Sequence, residues 1–489
     1  MADDQNGQLL NAISRARWFA GKGRRAELTG HTRLGWLTDL DQWPAVRLEI
    51  IEISYPPDED PEPAEGQEPG MRAEPVDAPG SALRQAQGTS GAIPYELYQV
   101  PVSYHRAPVP ELAHAELARL DDADLGSVVG YDATQDPAAC RILLTALLDA
   151  RRVREPDSEV RFTPTDTEGL SADDDPQPFR GQQSNTSIMF GETAMLKVFR
   201  RLELGRNLDI ETHEALNKAG VADVARLYGW IDAGWRHHGH DVRADLGMLV
   251  EKLIGAEDGW GLALDVLAQG RSFAEESARL GRALAEIHAA LRDAFPVATT
   301  SGERTAQTMT ERFEVARAIA PALDAYADGV LATFGRLGAG TLDVQRVHGD
   351  FHLGQTLRTP AGWKIIDFEG EPAKTLAERL EPDSVWRDIA GMLRSFDYAG
   401  ASVPGPGSAA WVADCRTAFL DAYAGGGLDA DDAAVLRAYE TDKAVYEVVY
   451  EVRNRPDWVH IPVGAVAALS EQTPSGTQAV RSDPTGDKE

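Results

Sequence analysis

The sequence predicts an α+β chain in which a strand-rich first half gives way to a helical second half near residue 253. Three observations carry this. Branched and aromatic residues crowd Val46 to Ser54 and Tyr95 to Tyr104 at partly alternating positions, the pattern of paired strands. GQQSNTSIMF and GETAMLKVFR, residues 181–200, read as two further strands joined by a turn at Gly191, and DLGMLVEKLIG, residues 245–255, as another. After Gly255 the apolar period lengthens: Leu280, Leu284, Ile287 and Leu291 recur every three or four residues, which places them on one face of a helix.

The remaining elements follow in order. Between the first two strands lies a stretch, residues 56–93, dense in Pro, Gly and acid. It has almost nothing to bury and is expected to be disordered. From about Pro108 the pattern turns helical and mixed. The helical half is interrupted by VHGDFHLGQTLRTPAGWKIIDFEG, a loop followed by short strands, and ends in a long helix near Ala433 to Asn454. The polar residues 471–489 read as a frayed tail. Boundaries are therefore expected near residues 106, 252 and 470.

Composition narrows the function. The chain has 489 residues, 43% hydrophobic, and a formal charge of -30, enough to bury a large core. Such a charge repels phosphodiester backbones and anionic lipid, so neither nucleic acid nor membrane is an expected partner. Cys140 and Cys415 lie far apart with no CxxC pair, which supports neither a disulfide framework nor a structural zinc site and predicts two buried thiols. The N-terminus lacks the signal-peptide pattern, and no apolar run approaches the roughly 18 residues of a membrane span. The expectation is a cytoplasmic, monomeric protein.

The chemistry concentrates in a few segments. Phosphoryl transfer from ATP needs a cation on the phosphates, oxygen ligands for Mg²⁺, and a carboxylate to take the proton of the attacking hydroxyl. Lys197 in AMLKVFR and Glu211 in DIETHEALNKAG suit a strand-lysine to helix-glutamate ion pair. In HGDFHLGQ, His348 to Gln355, Asp350 is the candidate base and Gln355 offers an amide oxygen to Mg²⁺. In IIDFEGE, Asp367 is the main charged metal ligand and Glu369 a second. His352 is read as holding this loop on its substrate side, since imidazole suits softer metals than Mg²⁺. Near the C-terminus, Glu447 and Glu451 share a helical face and Trp458 follows Pro456. Acids beside an aromatic ring suit a sugar.

The order HGDxHxx followed by IDxE resembles the aminoglycoside phosphotransferase and choline kinase branch of the protein-kinase-like fold, with Gln355 where that family has Asn. The match narrows to the actinobacterial maltokinase-like group, and within it to glucosamine kinases, through ARWFAGKGR, LKVFRRLELGRNLDIETHEAL, FEGEPAKTLAERLEPDSVWRDIAGMLRSFDY and YEVVYEVRNRPDWVHIP. The resemblance implies a bilobal fold with an N-terminal β-rich cap domain over residues 1–106, a nucleotide-binding lobe over 107–252, and a helical C-lobe over 253–470. It implies that the turn bearing Gln183, Ser184 and Ser187 covers the nucleotide phosphates, and that backbone groups of Glu251 and Leu253 meet adenine. It further implies ATP- and Mg²⁺-dependent phosphorylation of glucosamine on its 6-hydroxyl, with a maltokinase making maltose 1-phosphate as the alternative. A regulator that kept the fold and lost transfer is the non-enzyme alternative; the full set Lys197, Glu211, Asp350, Gln355 and Asp367 speaks against it.

Overall fold

The computed structural model describes residues 2–56, 95–179, 185–371 and 374–471. The acidic insertion beyond Pro56, Gln183 and Ser184 of the phosphate turn, and the tail beyond residue 471 fall outside the described residues. Two compact units divide the chain. The first comprises Met1–Leu262, Arg282–Pro296 and Arg346–Pro382, the second Ala263–Gly281, Val297–Gln345 and Asp383–Glu489.

The first unit contains two antiparallel sheets. One is built from β1 (Glu27–Trp36), β2 (Ala45–Ser54), β3 (Tyr95–His105), β4 (Glu116–Asp122) and β5 (Gly126–Asp132) in the order β1-β2-β3-β5-β4. The two runs expected to pair do so along their whole length, from Ala45 opposite Tyr104 to Ser54 opposite Tyr95. The sheet continues past residue 106, because ELARLDD and GSVVGYD form a hairpin with Leu120 opposite Val128, in a stretch where the sequence reads as helical and mixed.

Strand β2 is buried on both faces, which explains its odd mixture of residues. Val46, Leu48 and Ile50 enter a core that includes the helix Pro137–Leu148 and the second sheet. Ile51 and Ile53 enter another core with Leu9 and Ile13 of the helix Ala2–Ser14. Arg47 and Glu49 are buried too, so they must be paired. Arg47 donates to Glu49 at 2.7 Å and to Asp122 at 3.0 Å, and His31 lies 2.6 Å from Glu49.

The second sheet has the order β6-β7-β12-β13-β10-β9-β8, with β6 (Arg152–Glu155), β7 (Ser158–Pro164), β8 (Pro176–Pro178), β9 (Thr186–Phe190), β10 (Ala194–Val198), β12 (Leu227–His237) and β13 (His240–Glu251). A two-residue β11 (Arg201–Leu202) joins β3 of the first sheet. The turn at Gly191 falls where the sequence places it. Lys197 sits in β10 opposite Ser187 of β9 and Met248 of β13. Gly247 lets these strands approach: a Cβ there would lie 2.7 Å from the Lys197 carbonyl oxygen.

Helix α3 (Leu208–Ala219), third after those at Ala2–Ser14 and Pro137–Leu148, is capped by Asn207, whose side chain accepts from the backbone of Asp209 and Ile210, and by Gly220 in the left-handed region. In a small sheet β14 (Glu257–Asp258) pairs with β15 (Thr356–Thr359), and β15 with β16 (Gly362–Ile365); β15 and β16 lie between the HGD and IDFE segments in the chain and link them. The second unit is mainly helical, as expected. Its longest helix, Ala430–Asn454, starts where Asp429 caps it. Cys140 and Cys415 are both buried and unpaired, and burial pushes the Cys415 thiol up to about 12. Among the described residues no helix is long and apolar enough to cross a membrane.

The buried ion pairs of the first sheet make stability depend on acid. Burial opposes ionisation of Glu49, but His31, Arg47 and Tyr104 outweigh it and lower its pKa from the ordinary 4.5 to about 2. A depressed carboxylate contributes stability above its unfolded pKa and loses it as pH falls through the folded value. Over that window the contribution is about 3 kcal/mol. Glu49→Gln should therefore lower the thermal midpoint at pH 7 and flatten its decline between pH 5 and 3; a decline as steep as in the parent would contradict this.

Candidate active site

The site grows from two glycine-bracketed segments. His348, 1% exposed, has Nε2 3.0 Å from the Ile366 carbonyl oxygen, and its Nδ1 faces the Asp350 backbone N–H at 3.4 Å. A carbonyl can only accept, so Nε2 carries the proton and Nδ1 receives the N–H. His348 thus ties the loop bearing Asp350 to the strand end bearing Asp367. Gly349 has φ 85° and Gly370 φ 75°, and a Cβ on Gly349 would lie 3.2 Å from the Gly370 Cα. Asp367 itself adopts φ 67°, a conformation rare for a residue with a side chain and common where a functional group must be aimed. His352 accepts from the Gly354 backbone N–H at 3.1 Å, and its Nε2 lies 3.9 Å from Asp350.

Around Asp367 the charges gather. Gln355 Nε2 donates to Asp367 at 3.2 Å. Lys197 Nζ lies 3.1 Å from Asp209, 3.1 Å from Glu369 and 4.0 Å from Asp367. Asp209, Asp367 and Glu369 each offer an oxygen within 4.8 Å of the others, an arrangement able to hold a metal ion. Burial works against the Lys197 ammonium, yet Glu369, Asp209 and Asp367 hold its pKa well above the lysine value. Burial pushes the Asp367 carboxyl above the usual range; Lys197 pulls the other way, and Glu369 and Asp209 add to the rise. Three carboxylates and one ammonium leave surplus negative charge. A hard divalent cation with oxygen ligands fits this donor set.

The structure corrects one expected pair. Lys197 is partnered by Asp209, and Glu211 instead meets Arg346 at 3.2 Å. Two residues along a helix turn the side chain by about 200°, so when Asp209 faces the strand Glu211 faces away. The buried face of α3 includes Asp209, Ile210, His213 and Leu216. Asp209 also receives the Phe368 backbone N–H at 3.2 Å and lies 3.0 Å from His213. Burial resists its charge, but Lys197 and His213 prevail and hold its carboxyl far below the usual range. Arg346 lies two residues before His348, so Glu211 anchors the chain where it enters the HGD loop.

The remaining candidates fall in two places. Ser187, 2% exposed, lies in β9, and its carbonyl accepts from Phe179 at 2.9 Å. Glu251 ends β13, where its backbone N–H donates to the Arg226 carbonyl at 2.8 Å and its carboxylate accepts from the Arg226 backbone N–H at 3.2 Å. Leu253 packs on the first unit's core.

Glu447, Glu451 and Trp458 belong to the second unit. Both acids are already engaged. Arg394, itself 1% exposed, donates to Glu447 at 2.9 Å, and Glu451 accepts from Tyr398 at 3.1 Å and from Arg455 at 2.6 Å. Trp458 stacks on Tyr398 with ring centroids 6.5 Å apart and planes at 16°. Glu451 is 1% exposed, so its role is to orient Tyr398 and Arg455. Sequence reasoning missed Tyr398 and Arg394, which lie 53 residues from their acidic partners. Arg455, four residues after Glu451 on the helical repeat, was within reach of a spacing argument.

A loop aspartate, a strand lysine and clustered acids on a two-sheet scaffold define a kinase-like phosphotransferase. Comparison with known proteins agrees. Residues 13–136 match the maltokinase N-terminal cap domain, and residues 176–439 match the phosphotransferase enzyme family. A protein named glucosamine kinase from Streptacidiphilus jiangxiensis is 31% identical over 312 residues, 57% of this chain and 70% of that relative. One of the same name from Mycolicibacterium smegmatis is 28% identical over 322 residues, 60% of this chain and 80% of that relative. A solved glucosamine kinase in complex with glucosamine, ADP and inorganic phosphate shares the fold with TM-score 0.63 at 22% identity, covering 94% of this chain and 98% of that one. The chain belongs to the phosphotransferase enzyme family, with a maltokinase-type cap at its N-terminus.

The pairing makes two neighbouring acids separable. A hydrogen bond to a charged group contributes about 1.5–3 kcal/mol, so Asp209→Asn should lower kcat/KM for the nucleotide by roughly 10- to 150-fold. Glu211→Gln, which leaves Lys197 its partner, should cost less. Steady-state kinetics on both variants checks the order, and the reverse order would restore Glu211 as the partner of Lys197.

Proposed function

We propose that the protein phosphorylates glucosamine to glucosamine 6-phosphate from ATP with Mg²⁺, acting in the cytoplasm as a monomer. The observation that carries this is the cluster of Lys197, Asp209, Asp367 and Glu369 joined through His348 to the loop of Asp350. Asp350 accepts the hydroxyl proton as the sugar oxygen bonds to the γ-phosphorus and the bond from that phosphorus to the β,γ-bridging oxygen breaks. Lys197 neutralises phosphate oxygens, with Ser187 opposite it on β9. Glu251 and Leu253 present backbone groups to adenine. Gln355, Asp367 and Glu369 hold Mg²⁺, which when bound offsets the charge of the transferred group. In the second unit, Glu447 and Trp458 are read as sugar-contacting residues, with Glu451 orienting Tyr398 beneath Trp458.

Two relatives named glucosamine kinase, matched over most of their lengths, support the amino sugar. The maltokinase-type cap favours one second reading, phosphorylation of maltose to maltose 1-phosphate. ADP release with each sugar in turn separates them: turnover on glucosamine and none on maltose is expected, and maltose turnover alone would reverse the reading. A regulator without transfer predicts no sugar-stimulated ADP release at all. Loss of a positioned base typically costs about 10²- to 10⁴-fold, so Asp350→Asn should reduce kcat by that factor with KM for ATP nearly unchanged. Parent-like kcat would remove Asp350 from this role.

A further inference from the structure

We propose that Glu52, His237 and His238 form a zinc site that ties the first sheet to the β12–β13 hairpin, apart from the transfer chemistry. Each residue offers one ligand atom, and all three atoms lie within 4.8 Å of one another. His237 ends β12 and pairs with His240, leaving His238 and Gly239 as a two-residue turn with φ 46° and 80°. Positive φ at both positions is the type I′ geometry, which favours Asn-Gly. Histidine in this conformation is uncommon. Here it brings two successive imidazoles, with ring centroids 4.2 Å apart, onto one carboxylate of β2.

The separations suit a small tetrahedral cation. Bonds of about 2.0–2.1 Å require ligand atoms roughly 3.3 Å apart. His237 Nε2 lies 3.3 Å from Glu52 Oε2. That nitrogen is buried and makes no hydrogen bond, which an imidazole at a carboxylate would otherwise do. His238 Nε2, at 2.7 Å from the same oxygen, must open by a few tenths of an ångström, and its side chain is 61% exposed, free to swing on its turn. Glu52 is held from behind: Thr29 Oγ1 donates to its other oxygen at 2.6 Å, the kind of outer bond that orients a metal-ligating carboxylate. Tyr95 flanks both rings at 5.5 and 5.6 Å. Two nitrogens and one carboxylate suit zinc better than Mg²⁺ and leave one position for water.

The test uses full-length protein stripped with a chelator, then titrated with Zn²⁺ against a chromophoric competitor. His238→Asn keeps a residue the turn favours, and Glu52→Gln keeps an acceptor for Thr29, so both variants should fold. The parent should bind one more equivalent than either variant, gain thermal midpoint with Zn²⁺ where the variants do not, and show with Co²⁺ a tetrahedral absorption band that both lack. Mg²⁺-dependent transfer should be equal in all three. Equal zinc stoichiometry in parent and variants, or no one-to-one binding by the parent, would overturn the proposal and leave a carboxylate–imidazole ion pair.

Discussion

One ammonium among three carboxylates governs the first unit. Lys197 is in the middle of a sheet, Asp209 on the helix beside it, and Asp367 and Glu369 on a segment about 170 residues further on. Without the lysine the acids would repel one another in a partly buried place; without the acids the lysine would be a lone buried charge, which costs several kcal/mol. The backbone is shaped around this cluster. Gly247 admits β13 beside Lys197, Gly349 and Gly370 let the two loops touch, and Asp367 takes a left-handed conformation. The surplus negative charge is what a divalent cation and a polyphosphate, arriving together, would balance.

Much of this was legible in the residues. Strand pairing of residues 45–54 with 95–104 follows from composition, and the HGD and IDFE segments announce themselves by order and spacing. The phase of α3 did not: Asp209 and Glu211 are both acids near its start, and choosing between them needs the buried face set by Ile210, His213 and Leu216. The β4–β5 hairpin was hidden because its strands mix charges with apolar residues. Pairings across long separations, such as Glu52 with His238 at 186 residues, depend on how two sheets are laid together, which no local pattern carries.

The second unit repeats the theme of buried charge held by arginine. Arg394 and Arg416 are close to Asp397, while Glu447 and Glu440 complete the set. Burial raises the Glu447 carboxyl above the usual range while Arg394 pulls it back. Such networks contribute little net stability against an apolar core, but they fix directions. Here they fix Glu447 and, through Glu451, Tyr398 under Trp458, a flat aromatic pair bordered by acids.

The central claim is that the acids around Lys197 form the metal and nucleotide site. Electron paramagnetic resonance of Mn²⁺, titrated with a non-hydrolysable ATP analogue present, tests it most directly. The account predicts tight, nucleotide-dependent binding that Asp367→Asn abolishes; binding of equal affinity in that variant would contradict it.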